Sequence, residues 1–334
     1  MHPEIAPGNN DMRILYISNG QNPDYLCDML LHGLRCELAT DVVDIERVWY
    51  MYAAEFNTGG HDKSKLYGRG FTMFGLLGED SAVDRTDIEK KIRSKYFDLV
   101  VYGSIQRCRR FLEEVLHCYP PEQIVFVDGE DQTQIVPGLL GRGIYFKREL
   151  ADADSRLRPI QFAIPEERIG TVPRVKVKVY AFVDPRDART YIYNDEAAYY
   201  GDYAESLFGV TTKKSGWDCL RHYEIMANQC IPLFIDLERC PRTTMMFLPK
   251  YELSIAQNLL AARGPAFFCT REGLENWQAL QQRIELAFRR HCTTRALARY
   301  VIEVVSILAR RSQTSLHLPA GLVAGASTAT SAGK

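Results

Sequence analysis

The sequence predicts an α/β protein with two domains. Short apolar runs alternate with segments whose apolar residues recur at helical spacing, a pattern that favours parallel sheets covered by helices. The chain has 334 residues, of which 46% are hydrophobic and 25% charged. This length and composition suit two soluble domains, each with a core of its own.

Four strands and three helices are predicted in the first half of the chain. The strands are apolar runs that end in turn residues, and the helices have one apolar face. Asp24 lies near the start of the first helix. The predicted strands cover residues 12–18, 42–45, 97–103 and 123–128, and the helices cover 23–38, 84–95 and 111–118.

The second half begins after a segment rich in Gly, Pro and charges, residues 129–172, which we interpret as the crossing between the domains. Residues 174–183 alternate basic and apolar residues, as a half-exposed strand does. Residues 190–193 either pair with that strand or lead into a helix that begins near Asp195. Further helices are predicted at 250–262, 271–291 and 293–311, with a short strand at 266–269.

These elements divide the chain into five parts. We expect a flexible N-terminus, a first domain, a second domain, a helix that returns to brace the first domain, and a disordered tail rich in Ala, Gly, Ser and Thr. Their predicted ranges are 1–11, 12–155, 156–295, 296–311 and 312–334.

The most informative segment is residues 213–232, which read KKSGWDCLRHYEIMANQCIP and precede the apolar run LFID. We expect a turn, a helix and a buried strand in this order. Asp218 is predicted to cap the helix from its first turn, and Pro232 prevents its continuation. Apolar residues near helical spacing give the helix one face that can pack on a sheet.

The start of this helix is rich in groups that attract anions. Arg221 and His222 fall in the first turns, and Lys213, Ser215 and Gly216 lie in the preceding turn. Exposed N–H groups at a helix N-terminus favour negative charge, and nearby cations add to that effect. We therefore predict a site for a diphosphate at this corner.

Glu224 differs from its neighbours because a carboxylate repels a phosphate. It can instead accept hydrogen bonds from sugar hydroxyls. A helix start that offers cations and N–H groups, with a carboxylate one turn away, suits a nucleotide sugar. The interpretation as an ordinary solvated glutamate stays open from composition alone.

The string RHYEIMANQCIP at residues 221–232 resembles the donor-side motif of glycosyltransferases with the GT-B fold, especially the exostosin-like group. The later CPRTTM and FLPK, within residues 240–250, resemble the following segment of bacterial and viral members. The resemblance is good over residues 208–255. It implies two Rossmann-like domains facing across a cleft, with Glu224 on the ribose hydroxyls of a nucleotide-diphosphate sugar, which is a co-substrate, and no cofactor.

The chain departs from one pattern of this fold. Many retaining members carry a second glutamate eight residues before a nearby one, but here that position is Gly216, flanked by Ser215 and Trp217. The absence of this pair favours inversion of configuration. Trp217 is the aromatic residue of the motif that we expect to stack on a sugar or base.

An inverting transferase needs a general base for the acceptor hydroxyl, and the first domain should supply it. We predict His61, in a glycine-rich turn, and Asp131, after a strand end. Both also fit ordinary turn residues. Residues 128–131 and 236–238 hold carboxylates that can bind a divalent ion, but such clusters are usually surface, so we predict no metal site.

The composition excludes several partners. The net charge is −1 with no basic block, so we expect no nucleic acid. No apolar run is long enough for a transmembrane segment, and residues 1–11 lack the apolar core of a signal peptide. Nine cysteines, without a CxxC pair or histidine partners at ligand spacing, indicate free thiols in a reducing compartment and disfavour structural zinc. We expect a cytoplasmic protein, peripheral at the membrane if the acceptor is a lipid.

The predicted function is a glycosyltransferase of glycan or surface polysaccharide synthesis, acting on a glycan, lipid-linked or protein acceptor. Two alternatives stay open: a nucleotide-sugar epimerase or hydrolase on the same fold, and a non-catalytic module that binds nucleotide sugars or glycans. A nicotinamide dehydrogenase is disfavoured. In such dehydrogenases three glycines follow the first strand, whereas the corresponding turn of this chain, SNGQNP at residues 18–23, has one.

Overall fold

The computed structural model describes residues 12–20, 22–58, 66, 71–78, 80–170 and 175–312. Within these ranges the protein is α/β, with a six-stranded and a three-stranded sheet, both parallel. The parallel α/β architecture predicted from the sequence is confirmed. The predicted flexible N-terminus and disordered tail lie outside the described residues, apart from Ser312.

The strands are β1 (Ile14–Ile17), β2 (Val42–Ile45), β3 (Leu99–Tyr102), β4 (Ile124–Asp128), β5 (Ile144–Lys147), β6 (Leu157–Pro159), β7 (Lys178–Tyr180), β8 (Ser206–Thr212) and β9 (Ile231–Ile235). The helices are α1 (Tyr25–Leu38), α2 (Ala53–Thr58), α3 (Ile88–Arg93), α4 (Leu112–Cys118), α5 (Glu196–Ala204), α6 (Leu220–Ala227), α7 (Lys250–Arg263), α8 (Arg271–His291) and α9 (Thr294–Arg311).

The larger sheet has the strand order β2-β1-β3-β4-β5-β6 and is buried on both faces. Successive residues of a strand point to opposite faces. Thus Ile14 and Tyr16 pack in the core under α1 and α9, while Leu15 and Ile17 pack in the core shared with α3 and α4. The predicted strands and helices of the first half are confirmed, although α3 is shorter than expected.

Residues 129–172 contain more regular structure than the sequence indicated. We predicted an irregular crossing there, but β5 and β6 extend the larger sheet. Their apolar runs are short and flanked by glycines and charges, so no period was visible. The strand predicted at 266–269 is also wrong: a 3₁₀ helix, Pro265–Cys269, occupies this segment. Strand β8 was missed.

The smaller sheet has the order β7-β8-β9. Helices α7 and α8 cover a core on one side, whose members include Phe208, Phe234 and Trp277. A small second core contains Tyr203 and Ile225. The predicted helices at 250–262, 271–291 and 293–311 correspond to α7, α8 and α9 and are confirmed.

The chain crosses between the sheets twice, and the two crossings lie side by side. Ile164 donates its N–H to the Cys292 carbonyl at 2.9 Å and accepts from the Thr294 N–H at 2.9 Å. After the second crossing, α9 packs along α1 in the core of the larger sheet. None of the described helices combines the length and apolar character needed to cross a bilayer.

Candidate functional site

A cavity lies where the strands of both sheets end. It has a volume of about 720 Å³. From the larger sheet it is lined by segments that follow β1, β4 and β5, and from the smaller sheet by segments that follow β7 and β8, together with α6. In open parallel sheets, ligands bind outside the carboxyl ends of the strands. The cavity is therefore the candidate site.

Arg221 provides a buried cation in the wall of this cavity. The residue is 6% exposed. Its Nη2 donates to the hydroxyl of Tyr191 at 2.6 Å, whereas Nε and Nη1 have no hydrogen-bond partner among the described residues. A buried donor without a partner costs free energy, more so when it is charged. Since Arg221 lines the cavity, an anion bound there would lie close to this positive charge.

Glu224 lies one turn further along α6 and lines the same cavity. Its Oε1 accepts from the Thr72 hydroxyl at 2.6 Å, and its Oε2 accepts from the Tyr199 hydroxyl at 2.8 Å. Burial raises the pKa of this carboxyl, while the two hydroxyls and Arg221 oppose the rise. A carboxylate offers about four lone pairs, so Glu224 can accept further hydroxyls from a ligand.

Thr72 holds Glu224 from the side of the larger sheet, and its backbone is strained. Its φ is 69°, in the left-handed region that a β-branched residue rarely adopts. Its N–H donates to Glu196, and its carbonyl accepts from Arg168 Nε at 2.9 Å. Such strain persists where several contacts fix the residue. Here those contacts join the segment after α2 to α5 and α6.

The turn after β8 brings the two sheets together at the cavity. Lys214, Ser215 and Gly216 line it, and Lys214 N–H donates to the Gly216 carbonyl at 3.1 Å. A Cβ on Gly216 would lie 2.5 Å from Glu149 Oε1 and 2.8 Å from Asp131 Oδ1. The glycine is required because these carboxylates approach its backbone.

Three predicted site residues lie outside the lining of the cavity. Lys213 Nζ sits 5.0 Å from the centre of the Trp217 ring, which packs beside Phe234. His222 is fully buried: its Nδ1 is 2.8 Å from the Thr211 hydroxyl and its Nε2 donates to the Trp217 carbonyl at 2.9 Å. Burial lowers the pKa of His222 to about 3, so the ring is neutral and joins α6 to β8.

Asp131, the predicted base, lines the cavity opposite α6, and its side chain is 41% exposed. Arg148 forms an ion pair with its Oδ1. The other predicted base, His61, lies outside the described residues together with its glycine-rich turn. The structure thus brings Asp131, Ser215, Gly216, Arg221 and Glu224 to one cavity.

Arg148 is a cavity residue that the sequence analysis missed. It follows β5, is 2% exposed, and joins the two sheets. Its Nε donates to the Gly129 carbonyl at 2.9 Å, and its Nη1 donates to the Asp218 carbonyl at 2.7 Å. Recognising residues 144–147 as a strand would have placed this arginine at the functional edge of the sheet.

Asp218 does not cap α6, and this prediction is wrong. Cys219 occupies the N-cap position without a side-chain hydrogen bond. Asp218 instead turns inward, where Oδ1 accepts from the Tyr223 hydroxyl at 2.9 Å and Oδ2 accepts from the Phe162 N–H at 2.6 Å. Burial raises the pKa of the Asp218 carboxyl to about 6.

The carboxylates after β4 are all paired with cations. Asp128 is fully buried, and its Oδ1 accepts from Lys147 at 2.7 Å. Glu130 accepts from Arg107 at 2.6 Å. Since Arg148 holds Asp131 in the same way, these side chains serve to fix the loop beside the cavity.

Comparisons with protein-family models and with curated proteins find no match for this chain. The geometry of the cavity is therefore the basis for a functional proposal. Its lining includes the buried guanidinium of Arg221, the carboxylate of Glu224 and the half-exposed carboxylate of Asp131.

Proposed function

We propose that the protein is a glycosyltransferase that moves a sugar from a nucleotide-diphosphate sugar to an acceptor hydroxyl. The observation that carries the proposal is the buried guanidinium of Arg221, which lines the cavity one helical turn before Glu224 and has two nitrogens without a hydrogen-bond partner among the described residues. A diphosphate supplies the missing acceptors, and a ribose or sugar supplies hydroxyls for the carboxylate. The resemblance of residues 221–232 to a donor-side motif supports the same ligand.

The proposed architecture is of the GT-B type, with two Rossmann-like domains facing across the cavity. Two parallel sheets that direct their carboxyl ends to one cavity support this arrangement. The domain with the larger sheet, residues 12–155, would hold the acceptor. The domain with the smaller sheet, residues 156–295, would hold the donor.

In the proposed reaction, Arg221 and Lys214 stabilise the charge that develops on the departing diphosphate, without a metal ion. Asp131 takes the proton of the acceptor hydroxyl as that oxygen attacks the anomeric carbon from the opposite side, and configuration inverts. Arg148 forms an ion pair with Asp131 and fixes the direction of this side chain. Lys213, Ser215 and Gly216 complete the turn that carries Lys214 at the diphosphate.

The test is a binding screen of the full chain against nucleotides and nucleotide sugars, first by thermal shift and then by calorimetry. A ligand at 100 times its Kd should stabilise the fold by about 2.7 kcal/mol. Hydrogen bonds to charged groups contribute about 1.5–3 kcal/mol each. Arg221→Lys and Glu224→Gln should therefore each raise the Kd of the stabilising ligand about tenfold or more.

Glu275→Gln is the matched control, because this exposed glutamate on α8 lies outside the cavity. It should leave the Kd unchanged. Unchanged affinity in both cavity variants, or no stabilisation by any nucleotide sugar, would contradict the donor site.

A transfer assay with the ligand that binds then separates the functions. Donor consumption that requires an added glycan, lipid-linked or protein acceptor supports the transferase, and loss of transfer in Asp131→Asn with donor affinity retained supports the base. Conversion of the donor without any acceptor would point to an epimerase or hydrolase. Binding without turnover of any acceptor would point to a binding module.

A further inference from the structure

Three potential metal ligands lie together on the side of α1 that faces the crossing segment. His32 and Cys36 are one turn apart on α1, and Glu167 belongs to the 3₁₀ helix Glu166–Arg168. The distances from His32 Nε2 to Cys36 Sγ and to Glu167 Oε1 are both 3.7 Å. All three ligand atoms fall within 4.8 Å of one another.

These distances match those of a tetrahedral zinc site. Zinc lies about 2.0–2.2 Å from nitrogen and oxygen ligands and about 2.3 Å from sulfur, so neighbouring ligand atoms of a tetrahedron are about 3.3–3.6 Å apart. The two distances from His32 Nε2 exceed this by a few tenths of an ångström at most, and the distance from Cys36 Sγ to Glu167 Oε1 is within 4.8 Å. A nitrogen, a sulfur and an oxygen ligand together favour zinc over magnesium or calcium, which prefer oxygen alone.

The hydrogen bonds around His32 orient its ring for such a role. Its Nδ1 is 2.8 Å from the Thr294 hydroxyl, which donates to Glu166 Oε2 at 3.3 Å. In the tautomer that carries its proton on Nδ1, the ring donates to this hydroxyl oxygen. Nε2 is then the ring nitrogen that can bind a metal, although Cys36 Sγ lies 3.7 Å from Nε2 and 3.9 Å from Nδ1, so the thiol side chain must turn towards the ion when it binds. Metal-binding histidines are commonly held in this way through their other nitrogen.

With the proton of His32 on Nδ1, the Nε2 lone pair and the Glu167 carboxylate can share one cation. The His32 side chain is 1% exposed, so its lone pair is screened from water, whereas the Glu167 side chain is 51% exposed. Glu167 also lines a second cavity, of about 360 Å³. The ligand atoms are thus buried at one end and open to solvent at the other, which provides a path for an ion.

We propose that His32, Cys36 and Glu167 bind one zinc ion, with a water molecule in the fourth position. The ion ties α1, beside the larger sheet, to the segment that leads to the smaller one. Thr294 at the start of α9 supports the histidine, so both crossings of the chain meet at the ion. Its role is to fix the place where the chain passes between the sheets. None of the three ligands lines the 720 Å³ cavity, so the proposal is independent of the proposed function.

We predicted no metal site and no histidine at ligand spacing from a cysteine, but His32 and Cys36 have that spacing in the sequence. A histidine and a cysteine four residues apart on a helix share one face. The third ligand comes from residue 167, more than a hundred positions later, and only the fold brings it near.

The test uses the full chain, stripped of metal with a chelator and titrated with Co²⁺ as a spectroscopic probe. We expect saturation at one ion per chain, with the visible bands of tetrahedral cobalt and a thiolate-to-cobalt charge-transfer band in the near ultraviolet. Zn²⁺ should displace the cobalt and abolish both signals. Cys36→Ala should lose the charge-transfer band, and Cys269→Ala, at an exposed cysteine, should keep it.

Glu167→Gln keeps the test valid if changes at buried residues prevent folding, because this half-exposed side chain can be replaced without disturbing the core. It should fold as the wild type does, by circular dichroism, and bind Zn²⁺ at least tenfold more weakly. Absence of the charge-transfer band in the wild type, or the same band in Cys36→Ala, would overturn the proposal. The trio would then be a thiol–imidazole hydrogen bond beside a surface glutamate.

Discussion

Three buried charged residues at the cavity differ in how their charges are satisfied. Arg221 has two nitrogens without partners among the described residues, which leaves it able to bind an anion. Glu224 has two hydroxyl donors and can accept more. The carboxyl oxygens of Asp218 accept hydrogen bonds from a backbone N–H and a tyrosine hydroxyl, both of them neutral donors. Partners, more than burial, separate ligand-binding residues from structural ones.

Asp218 should make the stability of the protein depend on pH. Burial raises its pKa to about 6 from a usual value of 3.8. Between these values the folded chain holds a proton that the unfolded chain has lost, so the free energy of unfolding falls as pH rises through this window. A rise of about two pKa units corresponds to about 3 kcal/mol.

The measurement is urea denaturation of the wild type and Asp218→Asn at intervals from pH 4 to pH 7. The free energy of unfolding of the wild type, minus that of the variant, should fall by about 3 kcal/mol across this range. Asp187→Asn serves as control, because its exposed carboxyl has a pKa lowered by Arg189 and should give no such decline. If the difference in free energy of unfolding between wild type and Asp218→Asn stays constant with pH, the pKa of Asp218 is not raised by burial.

Helices α1 and α9 pack closely because α1 presents a glycine, Gly33, to the backbone of α9. A Cβ on Gly33 would lie 1.9 Å from the Thr294 carbonyl oxygen and 3.1 Å from the Ala298 Cβ. Elsewhere in a helix, replacing glycine with alanine gains about 1 kcal/mol. Here the backbone of α9 must move, and overpacking of this kind costs about 1–3 kcal/mol.

We therefore expect Gly33→Ala to lower the free energy of unfolding by about 1–3 kcal/mol, as measured by chemical denaturation. Gly78→Ala is the matched control, since a Cβ there would meet no atom within 4 Å. It should change stability by no more than about 0.5 kcal/mol. Equal or greater stability of Gly33→Ala would mean that α9 does not lie against α1 at this distance.

At the scale of the whole molecule, the turn that contains Gly216 is one of the places where the part with the smaller sheet contacts the part with the larger sheet. A methyl group there would press on the side-chain ends of Glu149 and Asp131, both held by Arg148. Side-chain ends can move where a backbone cannot. Gly216→Ala should therefore reshape the cavity at a stability cost of about 1 kcal/mol.

This substitution separates effects on the cavity from effects on folding. The affinity of Gly216→Ala for the ligand that stabilises the wild type should fall about tenfold, by calorimetry, while its melting temperature falls by only a few degrees. Gly138→Ala is the control. A Cβ on Gly138 would meet no atom within 4 Å, and its φ of 80° makes alanine strained there, so this variant should lose stability but keep the affinity for the ligand. Wild-type affinity in Gly216→Ala would place the ligand elsewhere.

The sequence alone determined much of the secondary structure and the helix that carries the site. Periodic apolar residues predicted β1 to β4, α1 and the three C-terminal helices. Asp24, expected near the start of α1, is its N-cap residue. Arg221 and Glu224 were identified from the sequence because cations at a helix start attract anions and a nearby carboxylate can accept hydrogen bonds from hydroxyls. These signals are local, within one or two turns of chain.

Only the tertiary structure decided which polar residues meet. Thr72 reaches Glu224 from 152 positions away, and Arg148 reaches the carbonyl of Asp218 from 70 positions away. The same holds for His32 and Glu167. Local patterns fix periodicity and helix ends, but which polar groups are desolvated together depends on how the sheets pack. The packing of the sheets therefore decides which charged groups are buried and which of these have partners, and so which can bind a ligand.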